Sequence, residues 1–585
     1  MSGVLRTLLT VTRRTVPTRV TRRCWSANSS PSSSHPPSVT SDYRSLQYPL
    51  ATEPPTILRT KATDVATTTT QTSSSSFDPT GTDPFDDAHA FSYEQVDDIR
   101  RGQKQTLSTT LSPKTIPIAP TIPSHVPPNV PAAELATPET LLTTLDNGIR
   151  VVSQETYGQV STVGAVAQVG SRFELPYETG TCNLLEVLGF SSTAQLSGLE
   201  ITNCLQDWGG TPFVNLNREQ SLHCIDLLRP NVEKAVALLA QALLEPQFRA
   251  EEIEDAKRAL EFQALDMPPE LLLGEGLQVA AYGESQQLGQ AHFPASTESL
   301  NNLSPETVAN FWSRQLLHNT PGIVLAGAGV RHDKLVEYAD RFFGHMPGPT
   351  SSASTTPSPQ VAITRSTYRG GQVRIHRPYN PQLEDKDLVR IALALHVDDG
   401  WHGDDLVGVC VLQTLLGGGN SFSAGGPGKG MYSRLYRQVL NRYNWAESAE
   451  AFTVFYEEAG LWGISGSTHP GRAREMTKVL AEHVLRLAST PVTDEELSRA
   501  RKMLKNNVLT QLESRLVLFE DMGRQILTYN SRQDMHQVCA KIDAVTADDL
   551  VRIAQNSLRH PPTLASVGSN LAYVPQQSEV SEWFP

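Results

Sequence analysis

One glycine-rich stretch of this 585-residue chain has residue types and spacing that could hold a phosphate group. Residues 417–430 contain seven glycines in fourteen positions. A G-x-x-x-x-G-K-[ST] loop would place its first glycine at Ser423 and its hydroxyl at Gly430, so this motif fails at both ends. A dinucleotide-binding G-x-G-x-x-G motif fails as well, because Met431 stands where the third glycine belongs. The residues therefore argue against a nucleotide site.

The patterns on either side of this stretch predict a mobile loop between two packed helices. The apolar run Val409 to Leu416 leads into it, and apolar residues at helical spacing follow it. Glycine-dense backbone has little conformational bias, and its N–H and C=O groups can pair with an extended peptide. Phe422 and Met431 offer apolar contacts. A long loop without any role is the alternative.

Composition excludes several classes of protein. The chain has 49 basic and 62 acidic residues, a net charge of −13, which is the wrong sign for a nucleic-acid surface. Its six cysteines include no C-x-x-C pair, so neither a zinc ribbon nor a disulfide framework is expected. The sequence has no run of eighteen apolar residues that could form a membrane-spanning helix.

The N-terminal residues have the composition of an organellar targeting sequence. Residues 1–41 contain no Asp or Glu, and arginines alternate there with apolar residues, Ser and Thr. The stretch Arg23-Cys24-Trp25-Ser26 resembles a mitochondrial presequence cleavage site. We predict a transit peptide at residues 1–25, with a disordered basic tail as the alternative. Residues 26–135, dominated by Ser, Thr and Pro, are predicted to be disordered.

Two halves with similar patterns of apolar and polar residues follow. They predict an α+β protein with two homologous sandwich domains, each a mixed sheet packed by helices. We place the domains at residues 136–345 and 366–575, joined by a Gly/Pro/Ser-rich linker at 346–365. Asn147-Gly148 predicts a hairpin in the first half. Helical patterns are at 178–190, 197–208, 230–244, 249–267, 300–317, 404–416, 431–441, 470–488 and 493–528. Strand patterns are at 211–216, 219–228, 322–329, 387–398 and 446–468.

One internal match supports a duplication. The pattern E-I-x-x-A-K-x-x-L from Glu252 parallels E-L-x-x-A-R-x-x-L from Glu496, and each opens a long predicted helix.

The first half resembles the pitrilysin-like zinc peptidases, or inverzincins. The segments that carry the resemblance are NGIRVVSQE, VGAVAQVGSRFE and GTCNLLEVLGFSST. Active members have H-x-x-E-H on the helix after Gly-Thr, where two histidines one turn apart bind Zn²⁺ and the glutamate activates water. A carboxylate further along the chain is the third ligand.

In this chain the zinc-site positions are degenerate. Asn183 and Val187 stand at the two histidine positions, Glu186 at the glutamate, and Glu254 lies near the place of the third ligand, at a shorter spacing than usual. Zn²⁺ needs nitrogen or sulfur donors that these residues lack. His223, His292, His318 and His332 are expected to be surface or packing residues. We therefore expect no catalytic residue and no metal in this chain.

The second half resembles the non-catalytic alpha subunits of heterodimeric members of this family, and the whole resemblance spans about residues 140–575. It is most specific in the glycine-rich loop and in Tyr432 to Arg442, with Asn420 standing where glycine is usual. In those subunits the loop guides presequences to the zinc site of a separate beta subunit. The substrate-binding residues that this implies are Gly417, Gly418, Gly419, Asn420, Ser421, Phe422, Ser423, Ala424, Gly425, Gly426, Pro427, Gly428, Lys429 and Gly430.

The resemblance implies three partners or settings: a zinc-bearing beta subunit, Arg-rich presequence peptides, and the mitochondrial matrix, free or on the matrix side of the inner membrane. The net negative charge suits cationic peptides, and the acidic pairs 398–399, 404–405 and 457–458 are candidates to meet arginines. The main alternative is a structural core subunit of the cytochrome bc1 complex. An independent peptidase with an unusual metal site is a third, which the missing histidines disfavour.

Overall fold

The computed structural model describes residues 138–584, except residues 157, 294–296, 318, 349–363, 383, 385 and 421–430. The predicted transit peptide, the predicted disordered segment, most of the predicted linker and ten residues of the glycine-rich loop lie outside this range.

The first half of the described chain builds a six-stranded mixed sheet. Its strands are β1 (Thr140–Thr144), β2 (Arg150–Gln154), β3 (Val160–Ala167), β4 (Thr211–Leu216), β5 (Ser221–Leu228) and β6 (Ile323–Ala328). The order is β1-β2-β6-β3-β5-β4, and only the β2–β6 pair is parallel. The hairpin predicted at Asn147-Gly148 is confirmed: Gly148 has φ 90°, which suits glycine, and the Asn147 side chain donates to the Phe343 carbonyl at 2.9 Å.

Eight helices follow or interrupt these strands. They are α1 (Thr181–Leu188), α2 (Gly198–Asp207), α3 (Val232–Leu244), α4 (Ala250–Leu265), α5 (Pro269–Tyr282), α6 (Thr297–Asn301), α7 (Pro305–Trp312) and α8 (His332–Phe343). The sequence patterns predicted most of them, but α5 and α8 were missed.

The second half repeats this arrangement around another six-stranded sheet. Its strands are β7 (Gly371–His376), β8 (Val389–Asp398), β9 (Gly418–Asn420), β10 (Ala446–Phe455), β11 (Ala459–Thr468) and β12 (Thr563–Gly568), in the order β7-β12-β8-β11-β10-β9. Its helices are α9 (Leu406–Leu416), α10 (Ala473–Ser489), α11 (Asp494–Leu512), α12 (Arg515–Tyr529), α13 (Met535–Ala544), α14 (Ala547–Ser557) and α15 (Gln577–Glu582).

One helix prediction in this half is wrong, and a second is confirmed in part. The pattern at 493–528 is not one helix, because Ser514 is extended (φ −76°, ψ 123°) and separates α11 from α12. The pattern at 431–441 is helical only over residues 434–440, of which Tyr436–Leu440 form a π-helical segment. Leu435, Val439 and Leu440 of this segment are buried against the core.

The two sheets have matching topology, which supports the predicted duplication. Five strands correspond in order, β2-β6-β3-β5-β4 with β7-β12-β8-β11-β10, and in each set only the first pair is parallel. The internal sequence match falls on α4 and α11, where Ala256 and Leu260 in one helix and Ala500 and Leu504 in the other are buried. The α+β class with two mixed sheets packed by helices is confirmed; the exact domain boundaries stay a prediction.

The two halves exchange one helix each. Leu272 and Leu277 of α5 pack on the second sheet, in a cluster with strands β7, β8 and β12. Phe519 and Met522 of α12 pack on the first sheet in the same manner. Gly523 lets α12 approach closely, because a Cβ atom there would lie 2.4 Å from Cγ2 of Val166. Each sheet therefore has a face that only the other half covers.

A buried arginine also joins the halves. Arg172, whose side chain is 0% exposed, donates to Glu219 of the first half at 2.6 Å and to both oxygens of Glu458 in the second half at 2.6 and 2.9 Å. Burial alone would raise the pKa of Glu458, but the Arg172 guanidinium and backbone hydrogen bonds, including that of Ser366, together lower it. A buried charge pair of this kind has to remain complete, since either partner alone would be an uncompensated charge.

We predict that Arg172→Met lowers the free energy of unfolding by about 3–5 kcal/mol, because it leaves the Glu219 and Glu458 carboxylates buried without their cation. Denaturant or thermal unfolding would measure the loss. Arg331→Ala is the matched control: its partner Asp333 and Arg331 itself are both more than half exposed, so we expect a loss of about 0–1 kcal/mol. Equal losses in the two variants would contradict the prediction.

Candidate functional site

Helix α1 carries the three degenerate positions that the sequence identified. Asn183 and Val187 are one turn apart on this helix, as two zinc-binding histidines would be. The Asn183 side chain is buried, whereas Val187 is 41% exposed, and Glu186 is half-buried. The helix therefore preserves the placement of the ligand positions while presenting an amide and an isopropyl group in place of imidazoles.

A buried carboxyl group holds the start of α1. Glu174 accepts hydrogen bonds from the backbone N–H groups of Gly180 at 2.9 Å and Cys182 at 2.6 Å, two donors that a helix N-terminus leaves without intrahelical partners. Burial raises the pKa of Glu174 to about 8 although these donors would lower it. Burial also raises the pKa of the Cys182 thiol, and Glu174 and Glu186 raise it further, so this thiol does not provide a thiolate ligand.

The predicted third position, Glu254, belongs to α4, which packs against α1. Its side chain is 63% exposed and accepts a hydrogen bond from Nζ of Lys257 at 2.8 Å. A lysine ammonium beside a carboxylate opposes a second cation at the same place. The donor set of Asn183, Glu186, Val187 and Glu254 thus does not fit zinc, which binds imidazole and thiolate groups most readily.

The histidines named from the sequence are packing residues where the structure describes them. His223 lies between the rings of Phe190 and Trp312, and burial lowers its pKa to about 4, so it is neutral. His292 is buried, and its backbone N–H donates to Glu275 at 2.9 Å. His332 lies within 2.9 Å of the hydroxyls of Thr143 and Ser153. These contacts agree with the expected surface or packing role of the three residues; His318 is outside the described residues.

The two ends of the glycine-rich loop meet at the edge of the second sheet. The four described residues of its beginning, 417–420, include β9, which pairs antiparallel with β10 at the end of the strand order. The backbone N–H of Gly418 donates to Oγ of Ser433, beyond the loop, at 3.1 Å. We call Gly417, Gly418 and Ser433 the loop neck. Residues 421–430 lie outside the described range.

The loop neck requires glycine at two adjacent positions. Gly417 has φ 54° and Gly418 has φ 104°, both in the left-handed region. A Cβ atom on Gly417 would lie 2.4 Å from Cβ of Ser433, and one on Gly418 would lie 1.9 Å from the Ala449 carbonyl oxygen. Part of the glycine content therefore reflects close packing at the base of the loop and not only conformational freedom.

The far side of the neck is anchored in the core. Leu435 is fully buried, and Arg434 pairs with Glu496 of α11 at 3.0 Å. Met431 is partly buried and packs on the core of the second half, so part of its side chain is exposed. Its expected apolar contact with a peptide stays a prediction.

Most of the acidic residues proposed to bind presequence arginines already contact basic side chains of this chain. Glu458 binds Arg172, Asp405 accepts from both terminal nitrogens of Arg552, and Asp399 lies 3.1 Å from Arg365. Asp398 lies 3.1 Å from Nε2 of His396. The expectation that Glu458 is available for a presequence arginine is wrong, because its carboxylate completes a buried ion pair.

Comparison with known proteins supports the sequence resemblance. The family described as Insulinase (Peptidase family M16) matches residues 150–293, and the family described as Peptidase M16 inactive domain matches residues 302–504. The chain is 37% identical over 475 residues to the Homo sapiens protein named mitochondrial-processing peptidase subunit alpha, covering 77% of this chain and 87% of that protein. The protein of the same name from Solanum tuberosum is 32% identical over 486 residues, with coverage of 82% and 90%.

Two solved structures share the fold. A protease from Helicobacter pylori aligns with a TM-score of 0.63 at 18% identity, covering 74% of this chain and 99% of that chain. Complex III2 from Candida albicans, with Inz-5 bound, aligns through one chain with a TM-score of 0.63 at 19% identity, covering 76% and 99%. At such low identity these two likenesses show the fold alone.

We predict that Glu174→Gln flattens the pH dependence of stability. Between pH 4.5 and about 8 the folded protein keeps a proton on Glu174 that the unfolded chain has lost, so stability falls as the pH rises through this window. The slope is at most about 1.4 kcal/mol per pH unit for one proton. Thermal unfolding of parent and variant at pH 5 and pH 8 would show it: the variant should gain relative to the parent at the higher pH. Parallel profiles would contradict this account.

We predict that Gly418→Ala destabilises the edge of the second sheet by ~1–3 kcal/mol. The new methyl group has no space there, and the backbone at this position is left-handed. Gly274→Ala in α5 is the matched control, since a Cβ atom there meets nothing within 4 Å. In a helix that change should be neutral or stabilising by up to ~1 kcal/mol. Hydrogen exchange of β9 and β10, with thermal unfolding, separates the two results; equal protection in both variants would refute the packing argument.

Proposed function

Because the chain belongs to the M16 peptidase family, and within it to the mitochondrial-processing peptidase alpha subunits, we propose that it is a non-catalytic, substrate-recognising subunit of such a peptidase. It would bind Arg-rich presequences through the glycine-rich loop and present them to a zinc-bearing beta subunit. The observation that carries the proposal is the donor set of α1, which keeps the position of the zinc motif without either imidazole.

The division of labour follows from that donor set. Without nitrogen ligands at positions 183 and 187, there is no group in this helix to hold a metal and lower the pKa of its bound water. Glu186 alone could accept a proton but would have no activated water beside it. Peptide hydrolysis is therefore assigned to a partner that has the complete motif, and the heterodimer is the functional unit.

The loop neck supports a role in holding an extended peptide. It joins Gly418, before residues 421–430, to Ser433, after them, at one sheet edge. Strand β9 is the last strand of its sheet in the described chain. An extended peptide beside such an edge can pair with backbone groups independently of its side-chain sequence. This tolerance would suit presequences, which share composition more than sequence.

Charge provides the expected selectivity. The net charge of −13 attracts cationic peptides over distances of roughly one Debye length. Since Glu458, Asp405 and Asp399 already have arginine partners within the chain, we expect the summed field rather than these pairs to act on presequences.

The proposed location is the mitochondrial matrix. The relatives are named as mitochondrial, and residues 1–41 have the composition of a transit peptide. Among the described residues, every helix is too short or too polar to span a lipid bilayer. The likeness to a complex III chain shows the fold alone, so it does not favour the alternative role as a structural core subunit.

The decisive test measures cleavage of a fluorescent Arg-rich presequence peptide by the full chain, alone and with a zinc-bearing beta subunit. We predict no cleavage by the chain alone and cleavage by the pair. Replacing residues 421–430 with two glycines should reduce kcat/KM of the pair at least about tenfold, a loss of ~1.4 kcal/mol in transition-state stabilisation.

Two controls make the outcome specific. Size-exclusion chromatography confirms that the shortened chain still pairs with the beta subunit, and a peptide with alanine in place of arginine reports the charge requirement. Cleavage by the chain alone would refute the non-catalytic assignment. Undiminished cleavage by the shortened chain in the pair would remove the loop from recognition and favour a structural role.

A further inference from the structure

A second group of metal-binding side chains lies far from the degenerate zinc motif in the sequence. His396 and Asp398 are two residues apart on β8, so both side chains point to the same face of the second sheet. His560 precedes β12, which is the antiparallel neighbour of β8. Because Thr563 pairs with Ala394, the chain before β12 runs alongside the end of β8, and His560 is brought beside the other two.

The three side chains are close enough to share one ion. One candidate ligand atom from each residue lies within 4.8 Å of the others, and Nε2 of His396 is already 3.1 Å from Oδ1 of Asp398. Ligands of a tetrahedral zinc ion, at about 2.0–2.2 Å from the metal, are roughly 3.3 Å apart. The pair on β8 therefore has nearly the separation that a metal requires, and His560 needs a shift of at most about 1.5 Å.

The surroundings fix the histidine on β8. The His396 ring stacks on Tyr368, with centroids 4.6 Å apart and planes at 17°, and meets the His560 ring at 4.9 Å. The hydroxyl of Tyr368 donates to the Pro561 carbonyl at 2.7 Å, so the stacking residue also holds the segment that carries His560. Positioned ligands lose little freedom when an ion binds, which favours affinity.

The nitrogen of His396 that faces Asp398 is Nε2. The other ring nitrogen, Nδ1, is buried on the far side of the imidazole and is not a ligand atom. At the same time Asp398 is 72% exposed, so an ion could reach the group from solvent.

We propose that His396, Asp398 and His560 form a binding site for one divalent transition-metal ion of the zinc class. Two imidazoles and one carboxylate are the ligands of this class, whereas hard cations such as Mg²⁺ and Ca²⁺ prefer oxygen ligands alone. Three protein ligands leave a further coordination position for water or a partner side chain. Nothing in this inference depends on the proposed function, since α1 provides none of the ligands.

An ion at this site would connect structural units that meet at one end of the second sheet. It would join β8 to the chain before β12, and through Tyr368 it would stabilise the segment that leads into β7. Tyr368 also meets Tyr282 at the end of the exchanged helix α5, with ring centroids 6.2 Å apart. The site would therefore stabilise the contact of α5 with the second sheet.

The test adds Zn²⁺ to metal-free full-length chain, removes excess ion by desalting and measures bound zinc by mass spectrometry and affinity by competition with a chromogenic chelator. We expect about one zinc ion per chain and a higher Tm on binding. Asp398→Asn and His560→Ala should each weaken zinc binding by more than ~10-fold, while their Tm without metal stays near that of the parent.

Three controls exclude other sites. His345→Ala removes an exposed histidine elsewhere and should bind as the parent does. Glu186→Gln, in the degenerate motif, should also bind normally. Because the described residues include five free cysteines, Co²⁺ is substituted for zinc: oxygen and nitrogen ligands give weak visible bands, whereas thiolate adds strong near-ultraviolet absorption. Absence of binding at ~100 µM Zn²⁺, undiminished binding in both site variants, or a thiolate band would each overturn the proposal.

Discussion

The architecture depends on one constraint: the guanidinium of Arg172 is buried between carboxylates of both halves, and without it two like charges would lie close together in the interior. The ion pair fixes the relative position of two sheets that also cover each other through exchanged helices, α5 on one and α12 on the other. Neither half can bury its own sheet completely. A chain built from two similar halves thus behaves as one unit, and the edge that carries the loop neck has a rigid support.

The first half keeps the fold of the M16 family although its helix α1 lacks both zinc-binding histidines. Helix α1 retains its N-terminal anchor at Glu174 and its packing against α4, which are requirements of folding. Asn183 is buried, whereas Val187 is 41% exposed, and the helix forms with neither imidazole present. In the second half, contact distances require glycine at the base of the loop. The function proposed above, with catalysis in a partner subunit, would account for both features.

Much of the fold could be predicted from periodicity, and the exceptions have physical reasons. Helix α5 escaped prediction because its apolar residues are spread around the helix, which is covered by the opposite half, a partner that no local pattern reveals. The division between α11 and α12 depends on one extended residue, Ser514, at the N-cap of α12. Serine favours this position, but a single serine inside a long helical pattern does not by itself mark a break. The loss of the zinc-binding histidines could be recognised from the sequence, because the motif is contained in one short segment. The proximity of His396 to His560 could not be predicted, because only the pairing of β8 with β12 brings these two residues together.

The loop neck has an implication for how this protein can vary. Closing a chain between two fixed points costs conformational entropy that grows slowly, by about 0.6 kcal/mol for each doubling of length. Because Gly418 and Ser433 already hold the two ends together, we expect insertions or deletions within residues 421–430 to leave the sheet edge undisturbed. The residues of the loop neck are constrained by close contacts, whereas we expect the length of the loop to have little effect on the free energy of folding. Evolution could therefore adjust the reach of this segment to a new partner while the rest of the molecule stays unchanged.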